Sequence, residues 1–160
     1  RLRLRHHDRG GYQQLHRRGA GQLSLWGSSL VNVRATLDTG ALLVLSAAHA
    51  SINGSTIANS HAARDDGAMY VAGSATMTEV AINHCTAGVN NGAMYVDGSA
   101  TMTAVAIINC TAGVNNGAMI VAGSATMTAV TIINCTAGAA AGAMQVGGSA
   151  VLRECVVANC

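Results

Sequence analysis

A 25-residue unit, GAMYVAGSATMTEVAINHCTAGVNN from Gly67, recurs in close copies that begin at Gly92, Gly117 and Gly142. A fixed period of this length predicts a solenoid, because each unit is one supersecondary element that can bury its apolar face only against the copies on either side. The landmarks keep step: Met77, Met102 and Met127 fall on one column, and Cys85, Cys110, Cys135 and Cys160 on another. Looser copies extend the array backward. Asn59 is in register with Asn109, Gly40 opens a unit two residues longer than the rest, and Leu30, Val31 and Asn32 match the end of a still earlier one. A repeat domain is expected over residues 27–160, continuing beyond the chain end, after a basic, disordered leader at 1–26.

Within the unit the apolar pattern has period two, which is the pattern of a strand with one buried face, and Gly, Ser and Asn interrupt it as turns. Three short strands per coil follow. In Ala93 to Val96, Met94 and Val96 point inward, since the intervening position varies freely as Tyr70, Tyr95, Ile120 and Gln145. In Ala100 to Thr103 the inward residue is Met102, and in Ala104 to Asn109 the inward set is Val105, Ile107 and Asn109. Glu79, Ala104, Ala129 and Glu154 share an outward column, and Val114 to Gly117 are read as a turn. The predicted fold is all-β: a right-handed parallel β-helix of about five coils of 25 residues. The alternative is a leucine-rich-repeat solenoid, because Met102, Val105, Ile107 and Cys110 fit that template. Its second half should carry leucines at helical spacing, whereas TAGVNNGAMYVDGS is poor in helix formers.

GAMYV, a turn, SATMT and then VAIINCTA together resemble the GGAI and FxxN repeats of chlamydial polymorphic outer-membrane proteins, and right-handed β-helix repeats of the pectate-lyase-like superfamily. The resemblance covers about residues 30–160, with Asn91, Asn116 and Ala141 in place of the first Gly of GGAI. It implies a surface-displayed passenger or adhesin segment, placed extracellularly or at the cell surface although no signal peptide is visible.

Columns carry the candidate sites. Asn59, His84, Asn109, Asn134 and Asn159 end their strands at one inward-tending position, and stacked amides there would form a structural ladder that holds register. The cysteine column lacks the short paired spacings of zinc sites, and coils about 4.8 Å apart hold Cβ atoms too far apart for a bridge that prefers about 3.8 Å. A file of reduced, partly buried thiols is expected. Thr76-Met77-Thr78, Thr101-Met102-Thr103 and Thr126-Met127-Thr128 predict two outward files of hydroxyls and methyls on a nearly uncharged sheet, an arrangement similar to ice-binding β-solenoids.

The acids that follow the leader, Asp38, Asp65, Asp66, Glu79, Asp97 and Glu154, are scattered over columns, which argues against carbohydrate-cleaving chemistry that needs clustered carboxylates. Asp65 and Asp66 do share a turn column with Asn90, Asn91, Asn115 and Asn116, a pattern that tight turns favour by themselves and that a calcium ion could also use. Arg1, Arg3, Arg5, Arg9, Arg17 and Arg18 make the start of the chain basic, but no nucleic-acid fold accompanies them, and GALLVLSAA is too short to span a bilayer. The expectation is a non-catalytic interaction segment of a surface or secreted protein, with no enzyme activity, no cofactor and no metal. Its expected partners are a protein or glycan surface ligand and further copies through open coil ends. The alternatives are an ice-binding surface through the six threonines, or a remnant of a carbohydrate-active β-helix enzyme.

Overall fold

The computed structural model describes residues 3–4, 15–17, 21–45 and 49–160. It is a parallel β-solenoid of about five coils, without helix among the described residues, and it fits a right-handed parallel β-helix. One coil shows the plan: strands Met94–Val96, Ala100–Thr103, Ala106–Ile108 and Thr111–Ala112 follow one another and contribute to sheets I, II, III and IV. Each strand pairs in parallel with its counterpart one period away, as in Met94↔Met119, Met102↔Met127, Ile107↔Ile132 and Ala112↔Ala137. The leucine-rich-repeat alternative is thereby set aside.

The fourth strand is a correction to the three expected, and its two residues follow directly from the sequence: Thr111 faces out and Ala112 in, with Gly113 behind them. The strand expected over Ala104 to Asn109 is shorter, Ala106–Ile108, because both its ends are corners. The solenoid also starts before residue 27. Gln22–Trp26 pairs with His49–Asn53 in sheet II, and Leu15–Arg17 joins Leu42–Val44 in sheet I, carrying Arg3–Leu4 as an antiparallel neighbour. The remainder of the proposed leader, 1–2, 5–14 and 18–20, lies outside the described residues.

Four turns per coil carry the chain from sheet to sheet, and at three of them the bend is made by residues in the left-handed region. Between sheets II and III stand Gly27, Gly54, Glu79, Ala104, Ala129 and Glu154, all with φ between +52° and +54°. Between III and IV stand Asn32, Asn59, His84, Asn109, Asn134 and Asn159, and between IV and I stand Thr39, Asp66, Asn91 and Asn116. Asn and Asp visit this region at lower cost than other side chains, so the Asn columns mark bends.

The core is a bundle of files rather than a centre. Met94, Met102, Val105, Ile107 and Cys110, with their equivalents one coil away, are at most 1% exposed. Outward Thr101, Thr103 and Tyr95 alternate with them as expected. A glycine file, Gly67, Gly92 and Gly117, exists because a Cβ on Gly92 would run into the carbonyl oxygen of Gly117, so the coils close up only where no side chain intervenes.

Candidate functional site

The corner between sheets IV and I builds the most differentiated surface. Two residues per coil stand there, and bridges Asp65↔Asn90 and Asn90↔Asn115 keep them in register. In the outer file Asn115 Nδ2 donates to Asn90 Oδ1 at 2.9 Å and Asn90 Nδ2 donates to Asp65 Oδ1 at 2.7 Å. The file ends on charge: Arg64 lies 3.5 Å from the Asp65 carboxylate and 3.6 Å from that of Asp38. Behind it runs a buried file of Asp66, Asn91 and Asn116, where Asn91 Nδ2 donates to Asp66 Oδ1 at 2.9 Å. The Oδ1 atoms of Asn91 and Asn116 are buried with no hydrogen-bond partner. Burial pushes the Asp66 carboxyl up to about 7, with Asp65 and Asp38 adding to the rise and the Asn91 amide opposing it.

The facing wall is the outer row of sheet I, Tyr70, Tyr95, Ile120 and Gln145. Tyr70 and Tyr95 stack with centroids 5.4 Å apart and planes 7° from parallel, as in-register aromatic neighbours should. Burial and the nearby Asp97 raise both phenols, and Tyr95 Oη donates to Asp97 Oδ1 at 3.5 Å. Between the two walls lies an open groove of about 460 Å³ along the solenoid axis. Amide and tyrosine edges line it, so it can donate to and accept from a polar ligand at every coil. Among the described residues that line it, the carboxylates are Asp65 and Asp66, consecutive residues on one wall.

The structure places the threonines as a set. Thr76↔Thr101↔Thr126 and Thr78↔Thr103↔Thr128 form two outward files of sheet II, continued by Ser51 and Asn53 on one side and by Val151 and Arg153 on the other. The other set is a correction. Asn59, His84, Asn134 and Asn159 are exposed and Asn109 is half-buried, so the inward position foreseen for them is wrong. They sit at a left-handed corner whose direction carries the side chain outward, and among them the described contact is Asn109 Nδ2 with His84 Nε2 at 3.0 Å. The buried amide file lies instead at Asp66, Asn91 and Asn116.

Two features were not foreseen. The stacking of Tyr70 on Tyr95 is one; its sequence signal is an aromatic repeated after 25 residues in an otherwise variable outward column. Sheet IV adds a third hydroxyl-bearing file, Thr86, Thr111 and Thr136, preceded by His61, with His61 Nδ1 2.8 Å from Thr86 Oγ1 and Thr111 Oγ1 3.3 Å from Thr136 Oγ1. Beside it a smaller hollow of about 340 Å³ is lined by Arg34, Asn59, His61 and His84. The thiol file is inward as expected: Cys85, Cys110 and Cys135 are fully buried, Cys160 is exposed, and all five cysteines are free.

No helix of the described residues is long and apolar enough to cross a membrane. Comparison with protein-family models, with curated proteins and with solved structures finds no match to this chain.

Proposed function

We propose that the chain is a non-catalytic interaction segment of a surface or secreted protein, adhesin- or passenger-like, whose binding face is the groove between the Asp65/Asn90/Asn115 file and Tyr70/Tyr95. The observation that carries this reading is the pairing of an in-register amide file with an aromatic file along one axis. The amides of Asn90 and Asn115 and the phenols of Tyr70 and Tyr95 suit an extended hydroxyl-bearing ligand, such as a surface glycan, that offers one polar unit after another. The likeness of the repeats to the GGAI/FxxN and pectate-lyase-like patterns supports the same placement outside the cell.

The test is binding of immobilised neutral and acidic glycans by the intact chain, with Asn90→Ala and Tyr95→Ala as variants. Both positions are only partly buried, so the fold should survive, and each variant should lose most of the retained glycan. Equal retention by both variants would remove the groove from the reading. Cleavage of a glycan, abolished by Asp65→Ala, would overturn the non-catalytic assignment in favour of a carbohydrate-active remnant.

A second reading rests on the six threonines of sheet II, whose hydroxyls and methyls repeat in register over three coils. An ice-binding surface would give thermal hysteresis that falls on Thr101→Lys and Thr103→Lys; a solution without hysteresis removes it.

A further inference from the structure

Three side chains break the repeat on one side of the solenoid, and all three bring nitrogen donors. The outward column of sheet IV reads Thr86, Thr111 and Thr136 in the regular coils, but Arg34 and His61 in the two coils before them. The corner column between sheets III and IV reads Asn32, Asn59, Asn109, Asn134 and Asn159, but His84 in one coil. The two columns lie two residues apart along the chain, so the departures meet in the hollow of about 340 Å³ lined by Arg34, Asn59, Ser60, His61, His84 and Thr86. Neighbouring rungs within it are one strand spacing apart, ~4.8 Å.

The hydrogen bonds already made there leave donors over. Asn109 Nδ2 can only donate, so at 3.0 Å His84 Nε2 accepts from it and the ring proton sits on Nδ1. His61 Nδ1 and Thr86 Oγ1 lie 2.8 Å apart. If the hydroxyl donates, His61 keeps its proton on Nε2; if the ring donates, the hydroxyl proton of Thr86 is free. Either way the pair retains one unused donor. Arg34 is exposed and enters no ion pair among the described residues, whereas Arg64 is shared between Asp38 and Asp65. The described residues that line the hollow include no carboxylate. Spare N–H and O–H groups around a fixed positive charge suit a ligand that only accepts hydrogen bonds; a cation would be repelled, and a neutral sugar would leave the guanidinium unpaired. Donors on three successive coils outnumber the two oxygens of a carboxylate and match the three free oxygens of a sulfate or phosphate monoester.

We propose that the hollow at Arg34, His61 and His84 is a binding site for a tetrahedral oxyanion, the sulfate or phosphate group of an acidic ligand. Arg34 supplies the charge and a two-pronged contact. The Nδ1–H of His84, the amide of Asn59 and the His61–Thr86 pair are the donors for the remaining oxygens. The hollow shares no residue with the groove between the amide and tyrosine files, so the two sites can be tested separately.

The experiment titrates the intact chain, in buffer free of sulfate and phosphate, with galactose 6-sulfate, galactose 6-phosphate and galactose, read by calorimetry and by the imidazole signals of His61 and His84 in NMR. Saturable binding of at least one ester, with shifts at both imidazoles and none on adding galactose, is the expected result; the tighter ester identifies the group the ligand carries. Arg34→Thr installs the residue that its own column carries in later coils, and His84→Ala places at this corner a residue that Ala104 and Ala129 show to be tolerated at the same φ. Both should keep the far-ultraviolet circular dichroism spectrum and weaken ester binding about tenfold or more, the worth of one hydrogen bond to a charged group. Arg153→Gln, which removes an equal charge from sheet II, should leave the affinity unchanged. The proposal is overturned if neither ester binds saturably, if galactose binds as well as the esters, if Arg34→Thr and His84→Ala bind like the native chain, or if Arg153→Gln weakens binding as much as Arg34→Thr.

Discussion

Asp66 is the residue at which the coil sequence and its surroundings conflict most, and the conflict can be measured. Its column continues as Asn91 and Asn116, both uncharged, and it is itself only 4% exposed. Burial raises its carboxyl from 3.8 to about 7 in the folded chain. Below pH 3.8 it is protonated in both states and costs nothing. As pH rises from there the unfolded chain releases the proton while the folded chain retains it, so stability falls steadily until about pH 7 and then levels off. At about 1.4 kcal/mol per pH unit over a span of roughly three units, the loss is about 4 kcal/mol. Asp66→Asn keeps the shape, keeps an oxygen for Asn91 Nδ2 to donate to, and removes the charge. The variant should match wild type near pH 4 and exceed it by about 4 kcal/mol at pH 8. Urea unfolding of both chains at equal pH, from 4 to 8, isolates this term because every other titration cancels in the difference. A difference between the chains that stays within about 1 kcal/mol across that range would refute the argument.

Further outcomes follow from the corners and files. Ala104 holds φ +52° in a column where Gly27 and Gly54 occupy the earlier coils, so Ala104→Gly should raise stability by about 1 kcal/mol in thermal or urea unfolding. Gly92→Ala should do the opposite by about 1–3 kcal/mol or more, since the new methyl meets backbone that belongs to the next coil. Met102→Ala should cost about 2–5 kcal/mol by opening a cavity in a file with no aromatic neighbour to refill it. Native-state thiol labelling should be fast at Cys160, slower at Cys155, and at Cys85, Cys110 and Cys135 should await unfolding, with mass spectrometry of the labelled peptides as the readout.

The period and the alternation of side chains were legible from the sequence alone, because both are local and repeated. Met94, Met102, Val105, Ile107 and Cys110 could be placed inside from their two-residue spacing and their constancy among copies, Tyr95 outside from the variation of its column, and Thr101 and Thr103 outside because they flank Met102. The thiol column and the threonine files followed from the same register. What the sequence left undecided was the direction of each bend. Asn serves two purposes in this chain, as a residue that tolerates the left-handed corner and as a link in a hydrogen-bonded file, and the two look alike when written as letters. Asn109 and Asn134 turn outward at the corner between sheets III and IV, while Asn91 and Asn116, equally polar and at the same φ, are buried at the corner between IV and I. Burial at those positions depends on how four short sheets close around the core, a relation between residues a whole coil apart. The same closure sets the groove, stacks Tyr70 on Tyr95, and gives Asp66 its raised pKa; only the folded stack brings those groups together.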